Sequence, residues 1–411
     1  MIALVMGRGV EGCGVTRYTI EYKNWLEKQG KEVVVYALKD KSNFTRANAQ
    51  KFDYKIFTAV DDISGKLNEC EYVVYMSTPS VSNSSKAIDS FMEYCVKAVK
   101  VKKVFIQHDH KNQSLIRNAR MWDILEMCDI VFTHCLQSDF GIKYQLGKLV
   151  PPSPIYEFKI GIDFTDFKQK KFSEKVDRIS YFGRFARFKH PERLLELRKG
   201  LKAKIITEMR GLERSIEAVD IYKRAYEEPY DIIDYHYPIK LIKQKIKVKA
   251  YCYSYVEEFK KRINEIQEKK DIQDCFDKTY VYGPYEREEG MEELSKSKFG
   301  CSFYELDARA YGNHVEFAML EIVALGLIPI FSKHWGDNTK HISGKPFSSI
   351  PFSGIYMGPD NIDEVCNEII KLNNDEKIYN EYVDKCIEVY KQHSSTDVAF
   401  QDLQVKMGEI I

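Results

Sequence analysis

The sequence has no apolar run approaching the roughly 20 residues that a membrane-spanning helix needs, so no membrane partner is expected. It has no excess of charge of one sign: 62 Lys and Arg stand against 61 Asp and Glu, a formal net charge of +1. That balance excludes a uniformly basic coat, so a nucleic-acid partner would have to be held by local patches. The ten cysteines include no C-x-x-C pair and no Cys/His spacing suited to zinc. They read as reduced thiols of a cytoplasmic protein. There is no internal repeat and no low-complexity tract. The first residues lack the basic segment and small-residue cleavage site of a secretory leader and read as a strand.

What is present is enough for two domains: 411 residues, 44% of them hydrophobic and 13% aromatic. Short apolar runs alternate with helical patterns. Ile2 to Met6, Glu32 to Leu38, Tyr72 to Met76, Lys103 to Gln107 and Ile130 to His134 read as strands of a parallel sheet, with a helix over Val15 to Gln29. After the proline-rich Val150 to Pro154 a second alternation begins. Its strands are Arg178 to Phe182, Lys204 to Glu208, Thr279 to Tyr282, Phe299 to Phe303 and Leu327 to Phe331, and helices follow over Asp360 to Leu372 and Glu376 to His393. The pattern predicts an α/β fold of two doubly wound, Rossmann-like domains facing a cleft. Three lysine-rich stretches, Lys97 to Lys103, Lys168 to Lys175 and Lys240 to Lys249, could be basic patches but read more simply as solvated faces.

Between the first strand and the first helix lies Gly7-Arg8-Gly9-Val10-Glu11-Gly12-Cys13-Gly14. Formally it contains G-x-G-x-x-G. A dinucleotide fold would place an acidic residue at the end of the second strand, but here that strand ends in Ala37-Leu38-Lys39, with Asp40 beyond. The turn is also too long. Its glycines let the backbone approach a ligand, and the helix opening near Gly14 offers N–H groups and a positive dipole end. An anion or sugar site fits better than NAD, and a turn without a ligand is the alternative. In the second half Arg184 follows a strand and Lys189 comes five residues later, a pair suited to a diphosphate leaving group. Glu316 and Glu321 lie on one helical run before Gly326 and a strand, where a carboxylate could accept from both hydroxyls of a ribose. Arg, Lys and Glu in this order resemble the donor site of retaining nucleotide-sugar glycosyltransferases of the GT-B type. Past a first-half strand, Gln107-His108-Asp109-His110 joins two imidazoles to a carboxylate. Neighbours on an extended chain point different ways, so an acid/base or transition-state role fits better than a metal site, and a hydrogen-bonded turn is the alternative.

The chain resembles the DNA α-glucosyltransferases of T-even bacteriophages, which glucosylate 5-hydroxymethylcytosine. The matching stretches are Gly9 to Thr16, Lys39 to Ser42, Gln107 to His110, Gly211 to Ser215, Leu294 to Ser297 and Glu316 to Phe331, in the same order over most of the chain. The resemblance implies an N-terminal DNA-binding Rossmann-like domain over residues 1–175 and a nucleotide-sugar-binding one over 176–385. It implies a helical segment over 386–411 that returns to the first domain. It implies a UDP-sugar donor, UDP-glucose foremost, with no tightly bound metal. Donor contacts would come from Gly12, Gly14, Arg184, Lys189, Gly283, Tyr285, Glu316 and Glu321. His108 and Asp109 would be catalytic. Lys39, Lys41, Arg46, His110 and Arg117 would meet double-stranded DNA, from which the target base is flipped. Asp307 to His314 departs from the family pattern, so another sugar such as arabinose stays open. A GT-B transferase of polysaccharides or small molecules, and a non-catalytic nucleotide-sugar-binding protein, are further alternatives. A monomer in the cytoplasm of an infected bacterium is expected.

Overall fold

A computed structural model describes residues 1–7, 14–38, 53–76, 85–108, 124–133, 154–183, 193–201, 205–210, 279–282, 287–303, 316–333, 353–358 and 360–408. The chain divides into two compact units. One comprises Met1–Ile162 with Ser394–Ile411, the other Asp163–Asp307 with Val315–His393.

The first unit runs β1 (Ile2–Met6), α1 (Gly14–Lys28), β2 (Val33–Leu38), β3 (Tyr54–Phe57), α2 (Ser64–Asn68), β4 (Tyr72–Met76) and α3 (Ser85–Ser90), which continues as a π-helical turn over Phe91–Lys97. It then adds β5 (Lys102–Gln107), β6 (Ile130–Thr133) and β7 (Ile155–Glu157). All strand pairs are parallel, in the order β3-β2-β1-β4-β5-β6-β7. The central strands IALVM and YVVYM are buried along their whole length, as strands covered on both faces must be. One core cluster packs Ala3, Val5, Val73, Tyr75 and Phe105 against Phe91, Leu67 and Ile124.

The second unit runs β8 (Val176–Phe182), α4 (Arg193–Leu201), β9 (Ile206–Arg210), β10 (Thr279–Tyr282), α5 (Arg287–Ser295), β11 (Ser297–Ser302) and α6 (Phe317–Ala324). It closes with β12 (Ile328–Ser332), β13 (Ile355–Met357), α7 (Ile362–Asn374) and α8 (Glu376–Ser394). Its sheet is again wholly parallel, in the order β10-β9-β8-β11-β12-β13. The two orders are the same topology: each sheet starts at an inner strand, winds to one edge, returns and winds to the other. The reversal falls between β1 and β4 in one unit and between β8 and β11 in the other. Ligands of such sheets bind outside the carboxyl ends of the strands at that reversal.

The last helix, α9 (Thr396–Gly408), belongs to the first unit. Ile162 N–H donates to Ser394 O (3.0 Å) and Thr396 N–H to Ile162 O (3.1 Å). Phe400 packs on Tyr22 and Trp25 of α1, and Trp25 Nε1 donates to Asp397 (2.9 Å). Lys406 Nζ donates to Glu157 O of β7 (3.0 Å).

The core strands fall where the apolar runs predict. The edge strands β3, β7 and β13 were not expected, and β9 runs Ile206–Arg210 rather than Lys204 to Glu208. The shift carries Glu208 into the interior, where Arg178 pairs with it, so a charged residue is part of a core strand. The six described cysteines, Cys70, Cys95, Cys128, Cys301, Cys366 and Cys386, are free and buried. Burial pushes the Cys366 and Cys386 thiols up to about 11. Among the described residues no helix is long and apolar enough to cross a membrane. Residues 216–273 lie outside the described residues.

Candidate active site

In the second unit the site begins with a helix that the sequence makes apolar almost throughout. α6 reads FAMLEIVA. Met319, Leu320, Ile322, Val323 and Ala324 are buried. Glu321 lies on the other face, which it shares with Phe317 and Ala318 one turn earlier. Glu316 stands at the N-cap in extended conformation, and its carbonyl accepts from Met319 N–H (3.0 Å). Because α6 follows β11, its first turns rise from the carboxyl edge of the sheet. Both glutamates therefore belong to the edge where ligands of this topology bind.

Three features fix this helix. Gly300 on β11 lets it approach: a Cβ there would lie 2.8 Å from both Cγ atoms of Ile322. The helix ends in a Schellman motif. Gly326, with φ of +70°, donates to Val323 O (2.9 Å), and Leu327 N–H reaches Ile322 O (3.2 Å). The terminal carbonyls are then held from outside the helix. Lys175 Nζ donates to Gly326 O (2.8 Å) and Leu325 O (3.3 Å), and Tyr379 Oη to Gly326 O (3.1 Å). A cation at a helix C-terminus also complements its dipole. Burial, with Lys170 adding to it, lowers the Lys175 ammonium to about 7. Lys175 had read as part of a solvated lysine face. It is instead buried, because α6 ends where a donor is needed.

Beside α6 runs α5. Met291 and Leu294 of α5 pack with Ile322, Leu325 and Leu327 around Phe182, the last residue of β8. That packing brings the first residue of α5 to Glu321: Arg287 Nη2 donates to Glu321 Oε1 at 2.7 Å. The Glu321 side chain is 12% exposed and that of Arg287 39%. Sequence reasoning missed Arg287, because 34 residues separate it from its partner.

In the first unit Gly14 opens α1 beyond β1, at the reversal of the sheet, and His108 follows β5. The His108 ring is half-buried in an aromatic collar. Tyr18 of α1 meets it edge-on at 4.8 Å between centroids and Phe158 at 5.1 Å, while Phe400 of α9 backs Tyr18 at 5.3 Å. A ring held edge-on from two sides keeps one orientation. The collar was not foreseen, since its members come from three separate segments.

Of the expected site residues, Gly14, His108, Glu316 and Glu321 are described, and each falls at the carboxyl edge of its own sheet. Gly12, Lys39, Lys41, Arg46, Asp109, His110, Arg117, Arg184, Lys189, Gly283 and Tyr285 lie outside the described residues. Among the described residues no group of three or more His, Cys, Asp or Glu could hold a metal ion.

A sequence profile of the family described as DNA alpha-glucosyltransferase matches residues 13–235 and 234–377. The chain belongs to that family. Among its relatives is the DNA alpha-glucosyltransferase of Enterobacteria phage T4, 26% identical over 429 residues and 98% of each chain. A solved alpha-glucosyltransferase in complex with UDP-glucose and DNA containing an abasic site has a TM-score of 0.72 at 23% identity, over 99% of each chain. HepE of Anabaena, solved with UDP-glucose, has a TM-score of 0.61 at 10% identity over 100% of each chain. The expected fold is therefore the observed one, GT-B, with two Rossmann-like sheets. Membership makes the protein an enzyme, a DNA glycosyltransferase.

Proposed function

We propose that the enzyme moves glucose from UDP-glucose onto 5-hydroxymethylcytosine in duplex DNA, with retention at the anomeric carbon and with the target base flipped out. The observation that supports this most is where a chain of this family places its carboxylates and its imidazole. Glu316 caps, and Glu321 lies on, a helix that rises from the carboxyl edge of one sheet, and His108 follows a strand of the other. Relatives of this fold have been solved with UDP-glucose and DNA, and with UDP and DNA containing an HMU base.

In this reading unit 2 holds the donor. Glu321 accepts the ribose hydroxyls, Glu316 faces the sugar, and Gly283 and Tyr285 lie near the uracil. Arg184 and Lys189 meet the diphosphate and stabilise the charge that grows on it as the glycosidic bond breaks. Gly12 and Gly14 offer backbone N–H groups to the donor from unit 1. His108 and Asp109 orient the acceptor hydroxyl and stabilise an oxocarbenium-like transition state. The hydroxyl attacks on the face the diphosphate leaves, and a departing phosphate oxygen takes its proton. Lys39, Lys41, Arg46, His110 and Arg117 grip the DNA, whose target base must leave the stack to meet the donor. The enzyme works as a monomer in the infected host's cytoplasm, without a bound metal.

The test is incubation of hydroxymethylated and plain duplex DNA with a panel of nucleotide sugars, followed by nucleoside mass spectrometry. A hexose added only to the hydroxymethylated base, and only from UDP-glucose, is expected. Pentose transfer from UDP-arabinose would move the donor assignment. Turnover with a polysaccharide but not DNA would overturn the acceptor.

A further inference from the structure

The cluster that the reading above leaves without a role is Arg287 with its ion pair to Glu321. We infer that Arg287 is a positioning residue for the donor: it holds the Glu321 carboxylate ready for the ribose diol and so sets how strictly the enzyme demands a ribonucleotide. This rests on Glu321 being the ribose acceptor.

The argument begins with the helix. Glu321 is the one charged residue of α6, on a long side chain whose neighbours Leu320 and Ile322 are buried. Left alone, such a side chain samples several rotamers, and ordering it on binding weakens affinity. Arg287 removes that freedom through a charge-assisted bond of 2.7 Å to one oxygen, Oε1. A carboxylate offers about four lone-pair directions and Arg287 takes one of them, so acceptors remain for two hydroxyls. The pair is asymmetric in a useful way. Glu321 is nearly enclosed and Arg287 is more open, so the carboxylate stays at the sheet edge while the guanidinium reaches in from α5. α5 cannot drift from α6, because Met291 and Leu294 pack with Ile322 and Leu325. Arg178 secures the far end of α5, its Nη2 donating to Glu293 O at 2.6 Å.

The inference predicts an effect on donor binding and discrimination, not on the chemical step. In Arg287→Ala the KM for UDP-glucose should rise roughly five- to ten-fold, with kcat unchanged. Arg287→Lys should recover part of the loss, because an ammonium supplies charge without the planar fork. Wild-type enzyme should favour UDP over 2′-deoxy-UDP in calorimetric titration, and Arg287→Ala should narrow that preference. Glu321→Ala should weaken UDP roughly thirty-fold or more and abolish the preference. Arg287→Ala should add nothing further in that background.

The outcomes separate the two ideas. If Glu321→Ala loses the ribose preference while Arg287→Ala matches wild type, the positioning role fails and the ribose reading stands. If Glu321→Ala binds UDP and 2′-deoxy-UDP as wild type does, the ribose reading fails and takes the positioning role with it. A fall in kcat at constant KM, or a lowered melting temperature with unchanged UDP affinity, would also overturn the inference.

Discussion

The two sheets share one topology but are held together by different means. At the centre of the first, β1 and β4 are apolar, and His108, proposed to serve the chemical step, is held by ring edges. At the centre of the second, Arg178 of β8 pairs with Glu208 of β9, donates to Ser297 Oγ of β11 (2.7 Å) and reaches Glu293 O of α5 (2.6 Å). Ser180 and Ser297 share a further bond of 2.6 Å. Lys298, also buried, pairs with Asp177 (2.7 Å) and lies 3.6 Å over the Phe172 ring. An apolar centre accepts many packings of similar volume, whereas a buried charge is satisfied in one register only. The polar centre lies in the unit proposed to hold the donor, where Glu316, Glu321 and Arg287 must keep fixed places relative to one another. Specificity of arrangement, not gross stability, is what such a network supplies.

The comparison can be broken most sharply at Arg178. Arg178→Ala removes an ion-pair partner of Glu208, which is 2% exposed, and should destabilise the protein by about 3–5 kcal/mol in urea unfolding. Arg178→Met combined with Glu208→Leu should recover most of that loss. A double variant as unstable as the single one would show that the charges are needed for stability itself. Gly300→Ala comes next. Its Cβ would press on Ile322, so a loss of about 1–3 kcal/mol is expected, together with weaker UDP binding as α6 is displaced. Ile322→Ala in the same chain should restore part of it. Unchanged melting would mean that the helix yields freely.

The smallest effect is that of Lys175. Below about 7 its ammonium is charged in both folded and unfolded chains, and the cost of burying it is carried in full. Between about 7 and its ordinary 10.5 the unfolded chain binds a proton that the folded one has released, so stability rises with pH. Relative to Lys175→Met, the wild type should therefore gain on the order of 1–2 kcal/mol between pH 7 and pH 9. Parallel stability curves for the two proteins would contradict this.

How much of this was legible in the sequence follows from the same contrast. The inner strands announce themselves because a strand covered on both faces must be an unbroken apolar run, as IALVM and YVVYM are. The edge strand YKIF is exposed at Lys55 and Ile56, and IYE is only half-buried throughout, so neither carries that signal. His108, Glu316 and Glu321 could be named because their residue types, set next to strand ends, already suggest chemistry. Arg287 and Lys175 could not. Each acts on a partner far along the chain, and alone each is one more cation in a polar stretch. The aromatic collar of His108 escaped for the same reason: Tyr18, Phe158 and Phe400 read as core until the fold gathers them at one ring.

The central claim is that Glu321 of the second unit serves donor binding and His108 of the first serves the chemical step. Calorimetric titration of UDP into His108→Ala and Glu321→Ala, with transfer to hydroxymethylated duplex DNA assayed on the same preparations, tests it most directly. His108→Ala should lose transfer while binding UDP as wild type does, because its contribution is made in the transition state. Glu321→Ala should lose UDP affinity. Equal loss of UDP affinity in both variants would place His108 in the donor site and contradict the division.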